Sequence, residues 1–207
     1  MKIARRTQAD RTATTRAALI DAARKLFAER GFARVGTETI VSDAAVSRGA
    51  LYHHFDDKTE LFAAVLDQVE GEVASELAAV GMADDADADF VEVMTRGIEV
   101  WLDACERPEV QRIVLLDGPS VLGWSRWRAI CQPHILGLIE VVLTRSMADS
   151  TVEALPVKPL AHVLLSVADE AAMYVQTSSD KEEARREMLS IAQRLLRSLT
   201  RTSVTPE

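Results

Sequence analysis

Ile40-Val41-Ser42-Asp43-Ala44-Ala45-Val46-Ser47-Arg48-Gly49-Ala50-Leu51-Tyr52-His53-His54-Phe55 reads as two short helices separated by a tight turn. In the second helix the bulk is confined to one side, where Leu51 and Phe55 face inward. The other side carries Arg48, Gly49, Ala50 and His53. That distribution suits a helix-turn-helix whose second helix enters a DNA major groove, because its backbone has to come close to the duplex. Ser47 stands where a hydroxyl caps this helix and donates to a phosphate that the helix dipole also attracts. Arg48 can contact a guanine edge at two points, Gly49 and Ala50 keep the surface low, and Ala50 suits a thymine methyl. The bland alternative is a small helical bundle whose surface happens to carry Arg and His.

Charge supports the first reading once it is divided along the chain. The formal net charge is −8 over 207 residues, yet residues 1–62 hold 11 Lys and Arg against 8 Asp and Glu. The first 34 residues alone hold 9 basic and 3 acidic groups. Positive charge therefore lies at the end that would meet phosphate, and an acidic body repels DNA elsewhere. With 48% hydrophobic and 27% charged residues the composition is that of a globular protein rich in helix formers. No apolar run reaches the roughly 18 residues of a membrane span. The basic start Met1-Lys2-Ile3-Ala4-Arg5-Arg6-Thr7 leads into no apolar core, so no secretory signal is expected. Cys105 and Cys131 have neither metal nor disulfide spacing, which fits free thiols in the cytoplasm.

The periodicity predicts an all-α chain of about nine helices. Residues 1–14 read as a flexible basic arm, whose Lys2, Arg5, Arg6 and Arg11 suit an adjacent minor groove or merely a solubilising tail. Residues 15–57 read as the helix-turn-helix domain, opening with a helix from about Thr15 to Arg30 and closed by Gly31 at its C-terminus. A connecting helix over 58–80 starts at the capping-box-like Asp57-Lys58-Thr59-Glu60. Residues 81–207, entered through the acidic stretch Gly81 to Asp89, read as a domain for ligand binding and dimerisation. Its helices are expected over about 90–105, 108–116, 120–146, 157–177 and 181–200. The arrangement is a small three-helix domain tied by a shared helix to a larger bundle.

With Phe27, Gly31-Phe32, Ile40, Val46-Ser47-x-Gly49-x-Leu51-Tyr52-x-His54-Phe55 and Lys58 in place, the chain resembles the TetR family of bacterial transcriptional regulators over about residues 15–65. The stretch Leu116 to Trp124 resembles one of that family's C-terminal subtypes. The resemblance implies a homodimer on double-stranded palindromic operator DNA, usually repressing, and released by a small molecule bound in the C-terminal domain. It assigns DNA contacts to Thr37, Thr39, Tyr52, His53 and Lys58 beside Ser47, Arg48, Gly49 and Ala50. Three positions depart from the family's pattern. Gly36 replaces a hydroxyl residue, so Thr37 is expected to supply that cap one position later; Val41 replaces a small alanine. Ala45 replaces the turn glycine, at a cost on the order of 1 kcal/mol if its φ is positive.

All three tryptophans fall in the second half, and they suggest an apolar ligand site. Its candidate lining is Met94, Ile98, Trp101 and Cys105 on one helix, with Trp124, Trp127, Ile130, Cys131 and His134 on another. Each of these residues can equally fill a core. For the dimer interface the helical spacing offers Leu164, Ala168, Ala171 and Val175, then Leu189, Ala192 and Leu196. No cofactor is implied. A metal on His53-His54 with Asp56-Asp57 is disfavoured, because adjacent helical side chains diverge by about 100° and cannot share one ion. The competing class is an α-helical enzyme using His134, His162 or Cys131, but none of these has motif-grade context for catalysis.

Overall fold

The computed structural model describes residues 8–81 and 89–201, and there the regular structure is helical, with one isolated bridge between Val152 and Thr200. The chain forms two compact units, Met1–Val69 with Pro108–Ile130, and Glu70–Arg107 with Cys131–Glu207.

The first unit opens with α1 (Gln8–Arg30), which starts earlier than Thr15. Residues 8–14 lack an apolar stripe because this end is largely exposed, yet Asp10 favours the helix start and Thr14 Oγ1 donates to the Asp10 carbonyl at 2.7 Å. Arg11 is therefore helical, while Lys2, Arg5 and Arg6 of the expected arm lie outside the described residues. Gly31 has φ 77°, the left-handed conformation that its place at the helix end requires. The chain can then fold Phe32, in the 3-10 turn Phe32–Arg34, back onto Phe27 at 5.6 Å between ring centres.

Helices α2 (Thr37–Asp43) and α3 (Arg48–His54) follow, bedded on Ile40, Leu51 and Phe55. Burying each such side chain contributes about 1.5–3 kcal/mol. Between them Ala45 has φ 52°, the strained turn that the sequence foreshadows. Helix α4 (Lys58–Gly81) begins at Asp57, whose Oδ1 accepts from the Thr59 and Glu60 amides at 2.6 and 2.9 Å.

The segment 108–130 belongs to this unit, although the sequence placed it in the ligand domain. It is fastened by polar links that no periodicity announces. Arg24 forks onto Glu109 at 2.8 and 3.0 Å, the Phe32 amide donates to Asp117 at 2.8 Å, and Arg126 pairs with Glu60 at 2.7 Å. The segment is a π-helical coil, Val110–Asp117, that runs into α6 (Gly118–Leu122) and then α7 (Trp124–Cys131).

The helix expected over 120–146 is thus three pieces. Gly123 at φ 73° ends α6, and a π-helical stretch at Gln132–Leu136 separates α7 from α8 (Gly137–Ala148). Pro133 has no N–H for the helical ladder, and His134 beside it leaves helical geometry at φ −99°, ψ −106°.

The second unit packs α5 (Phe90–Glu106), α8, α9 (Val157–Thr177) and α10 (Lys181–Leu199) with the latter part of α4. Asp89 and Asp180 cap α5 and α10, accepting from the Val91 and Glu183 amides at 2.7 and 2.9 Å. Arg185 ties α10 to α5 through Asp103 at 2.6 Å.

Replacing Ala45 by Gly should relieve the positive φ and raise stability by up to about 1 kcal/mol, the gain being reduced by the greater freedom of glycine in the unfolded chain. Thermal melting checks this: Ala45→Gly is expected to melt a few degrees above wild type, and an unchanged or lower midpoint means the turn stores no strain.

Candidate functional site

The outward face of α3 is assembled from its own cap. Ser47 Oγ accepts from the Ala50 amide at 3.1 Å, which leaves the hydroxyl proton available for a phosphate at the helix N-terminus. Arg48, Gly49, Tyr52 and His53 are exposed and Ala50 is half-buried. A Cβ built on Gly49 would meet only Ser47 Oγ, at 3.8 Å. The glycine therefore serves no internal packing, and its effect is to keep the surface flat where a duplex would approach.

Arg48 is held before any DNA arrives. Its guanidinium donates to Glu38 Oε1 on α2 at 2.8 Å and lies 5.6 Å from the Tyr52 ring centre. Glu38 escaped the sequence reading, since nothing in its spacing marks it as a partner of Arg48. Thr39 is exposed on α2 beside it, and Thr37 is half-buried. Gly36, rather than Thr37, holds the capping position of α2, and no side chain bonds there. This corrects the expectation that Thr37 supplies the cap.

Lys58 also differs from its expected role. Its Nζ donates to the carbonyls of Phe32 and Val35 at 3.0 and 2.9 Å and sits 4.0 Å from the Phe32 ring centre. Burial lowers its pKa from the ordinary lysine value. Lys58 braces the turn that supports α3, instead of offering its charge freely to phosphate. His54, half-buried, has its pKa lowered by burial first, then by His53 and Arg16. Among the described residues, no group of three His, Cys, Asp or Glu is placed to hold a metal ion.

The second unit holds a partly open apolar cavity of about 70 Å³. Met94, Ile98 and Trp101 of α5 line it, as the period of that helix predicts, together with Leu77, Ile135 and Leu164. The other expected lining residues lie elsewhere. Trp124 is 63% exposed, and Trp127 is packed against Gly118, where an added Cβ would sit 2.8 Å from the indole. Both belong to the first unit with Ile130. Cys131 is buried and donates to Glu70 Oε1 at 3.0 Å, and His134 packs beside Gly71. The Cys105 thiol is buried; burial first, then Asp169 and Glu70, push its pKa up, so it stays protonated and unreactive. His162 is exposed on α9.

The expected dimer residues face inward. Leu164, Ala168, Ala171, Val175, Ala192 and Leu196 are buried in their own protomer, Leu189 is half-buried, and Leu164 and Ala168 line the cavity. Val163 and Tyr174 on α9, and Ile191 and Leu195 on α10, are the large apolar side chains that remain exposed there.

A capped recognition helix with a flattened outer face, joined through α4 to a second helical unit, defines a DNA-binding transcriptional regulator. The comparisons agree. Residues 19–65 match the pattern of bacterial regulatory proteins of the tetR family, and residues 91–199 match the tetracyclin repressor-like C-terminal domain. The chain belongs to the TetR family. A crystal structure of a TetR-family transcriptional regulator from Pectobacterium atrosepticum is 32% identical, covers 98% of this chain and all of its own, and superposes with a TM-score of 0.76. The HTH-type transcriptional regulator TtgR of Pseudomonas putida is 47% identical over 55 residues, which are 27% of this chain and 26% of that protein. The HTH-type transcriptional repressor BepR of Brucella suis is 42% identical over 62 residues, 30% of this chain and 29% of that protein. The chain therefore aligns with little more than a quarter of the length of these two curated relatives. No described helix is long and apolar enough to cross a membrane.

Arg48→Ala should weaken specific DNA binding by about 1–3 kcal/mol and relax preference at one base pair, whereas Gly49→Gln should weaken binding without lowering the melting temperature. Fluorescence anisotropy beside thermal melts measures both; full affinity in Gly49→Gln would mean that this face does not meet the groove.

Acid should loosen the structure through His54. The unfolded chain takes up this proton near the ordinary imidazole value of about 6.5, before the folded chain does, so stability falls as the pH drops through that window. Melts at pH 7.5 and 5.5 should show a smaller acid loss in His54→Gln than in wild type; equal losses would remove His54 as the cause.

Proposed function

We propose that the protein is a repressor that binds a palindromic operator as a homodimer in the cytoplasm and is released by a small hydrophobic effector. The observation that carries this reading is the outer face of α3, exposed from Ser47 to His53 except at half-buried Ala50 and inward Leu51, and held low by Gly49. On this reading Ser47, with Thr37, Thr39 and Tyr52, holds phosphate, and Arg48, Gly49, Ala50 and His53 read base edges. Repression is favoured by the similarity to BepR, a transcriptional repressor.

Dimerisation is supported by the stripe of Val163 and Tyr174 on α9 beside Ile191 and Leu195 on α10, exposed in the protomer. A two-fold copy laid on that stripe buries it isologously and presents two recognition helices about 34–36 Å apart, one turn of the duplex. The cavity gives an effector its site in the second unit. Helix α4 runs unbroken from Lys58 to Gly81, its first part in one unit and its second in the other, so strain from a filled cavity reaches the DNA-binding unit along one rigid element. A coupling of about 1–3 kcal/mol suffices to switch occupancy.

The test is a mobility shift on the promoter region beside the protein's own gene, at two salt concentrations, for wild type and for Ile191→Glu with Leu195→Glu. Wild type is expected to give a salt-sensitive dimer complex, and the double variant a monomer whose operator affinity drops on the order of 100-fold. Persistence of the dimer in that variant contradicts the proposed interface, and salt-insensitive or absent binding contradicts DNA recognition.

A further inference from the structure

We infer that Glu38 determines the sequence specificity of the DNA-binding face by positioning Arg48, withdrawing its charge from phosphate and ordering its guanidinium for a base edge. This rests on the reading that Arg48 meets a guanine in the major groove. Glu38 is the second residue of α2 and Arg48 the first of α3, so the pair bridges the two helices of the motif. Arg48 Nη1 donates to Glu38 Oε1 at 2.8 Å, and the guanidinium carbon lies 5.6 Å from the centre of the Tyr52 ring. The Arg48 and Glu38 side chains are 64% and 69% exposed, so water screens the ion pair and it adds little to stability. Glu38 also stands between Thr37 and Thr39, read above as phosphate contacts, where a lone carboxylate would repel DNA. The consequence of the pair therefore falls on binding.

Two effects follow from its geometry. An arginine with no partner on this face is drawn to any phosphate, which raises affinity for every sequence alike. Glu38 neutralises that charge at close range without using up the donors. Among the described residues Nη1 is the one guanidinium nitrogen of Arg48 with a hydrogen bond, so Nε and Nη2 remain for the O6 and N7 acceptors of guanine. Bonds to a base edge are directional and depend on sequence, whereas attraction to phosphate does not. The second effect is order. Arginine has several rotatable bonds, and all must be fixed before two acceptors can be met at once. Glu38 holds the guanidinium and the Tyr52 ring lies beside it before DNA arrives, so less freedom is lost on binding. Glu38 thus exchanges general affinity for discrimination at one base pair.

The test selects duplexes from a random-sequence pool with the wild-type full chain. Fluorescence anisotropy then measures binding to the selected site, to its single-base-pair variants and to unrelated duplex. The pair read by Arg48 is the one at which Arg48→Ala loses preference. Glu38→Ala is expected to lower discrimination at that pair about tenfold, while unrelated duplex binds more tightly and the salt dependence steepens by about one unit of slope. Glu38→Gln keeps an acceptor oxygen for the guanidinium and should discriminate better than Glu38→Ala. In the Arg48→Ala background, Glu38→Ala should change discrimination at that pair no further. Both positions are exposed, so each variant should melt with wild type, and a purely structural role would move none of these ratios. Unchanged discrimination in Glu38→Ala, weaker binding of that variant to unrelated duplex, or an Arg48→Ala variant that keeps every preference overturns the inference while leaving DNA recognition in place. Failure of wild type to enrich any sequence overturns it together with the function proposed above.

Discussion

The contact of three aromatic rings, Phe27, Phe32 and Phe62, holds the DNA-binding unit in register. Their centres lie 5.2 to 5.6 Å apart, with Phe62 edge-on to both of the others. Such pairs contribute about 0.5–1.5 kcal/mol beyond the area they bury. The cluster joins the end of α1, the turn after it and the start of α4, and it exists because Gly31 lets the chain reverse at positive φ. Lys58 completes the joint by donating to two carbonyls of the same turn. Once these pieces are fixed, α2 and α3 need only Ile40, Leu51 and Phe55 as anchors, and the other side of α3 is left without structural duties.

On the proposed reading, regulation would depend on how the remainder of the chain is joined to that unit. The backbone passes from one unit to the other at Val69–Glu70, Arg107–Pro108 and Ile130–Cys131. The first crossing lies inside α4, where a helix resists bending. The other two bracket a segment fastened to α1, its following turn and α4 by Arg24–Glu109, Phe32–Asp117 and Glu60–Arg126. On the proposed reading, an effector in the second unit would act on elements that are continuous in the chain with the support of α3.

How much of this could be seen in the sequence depends on the kind of signal. The helix-turn-helix was legible because its constraints are local: a cap at Ser47, a turn at Ala45, a glycine at Gly49 and inward bulk at Leu51 and Phe55. Helix α9 was legible over 157–177 from its period. The face it buries was legible too, but not what that face meets; Leu164 and Ala168 cover a cavity, and the exposed stripe lies on Val163 and Tyr174. Helical spacing separates one face from another without saying which faces inward when both carry apolar residues. The 120–146 segment is not one helix because Gly123 and Pro133 each break it, and Trp124 and Trp127 belong to the first unit and are not among the cavity's lining residues. The pairing of Glu38 with Arg48, and of Arg24 with Glu109, depends on tertiary geometry that no spacing encodes.

The central claim is that α3 meets DNA bases in the major groove, twice per assembly. Methylation of guanine N7 by dimethyl sulfate reports on that groove alone. On promoter DNA saturated with protein, the account predicts guanines protected in two patches about 10–10.5 base pairs apart, centre to centre. Bound DNA whose guanines react at the same rate as in free duplex would contradict it.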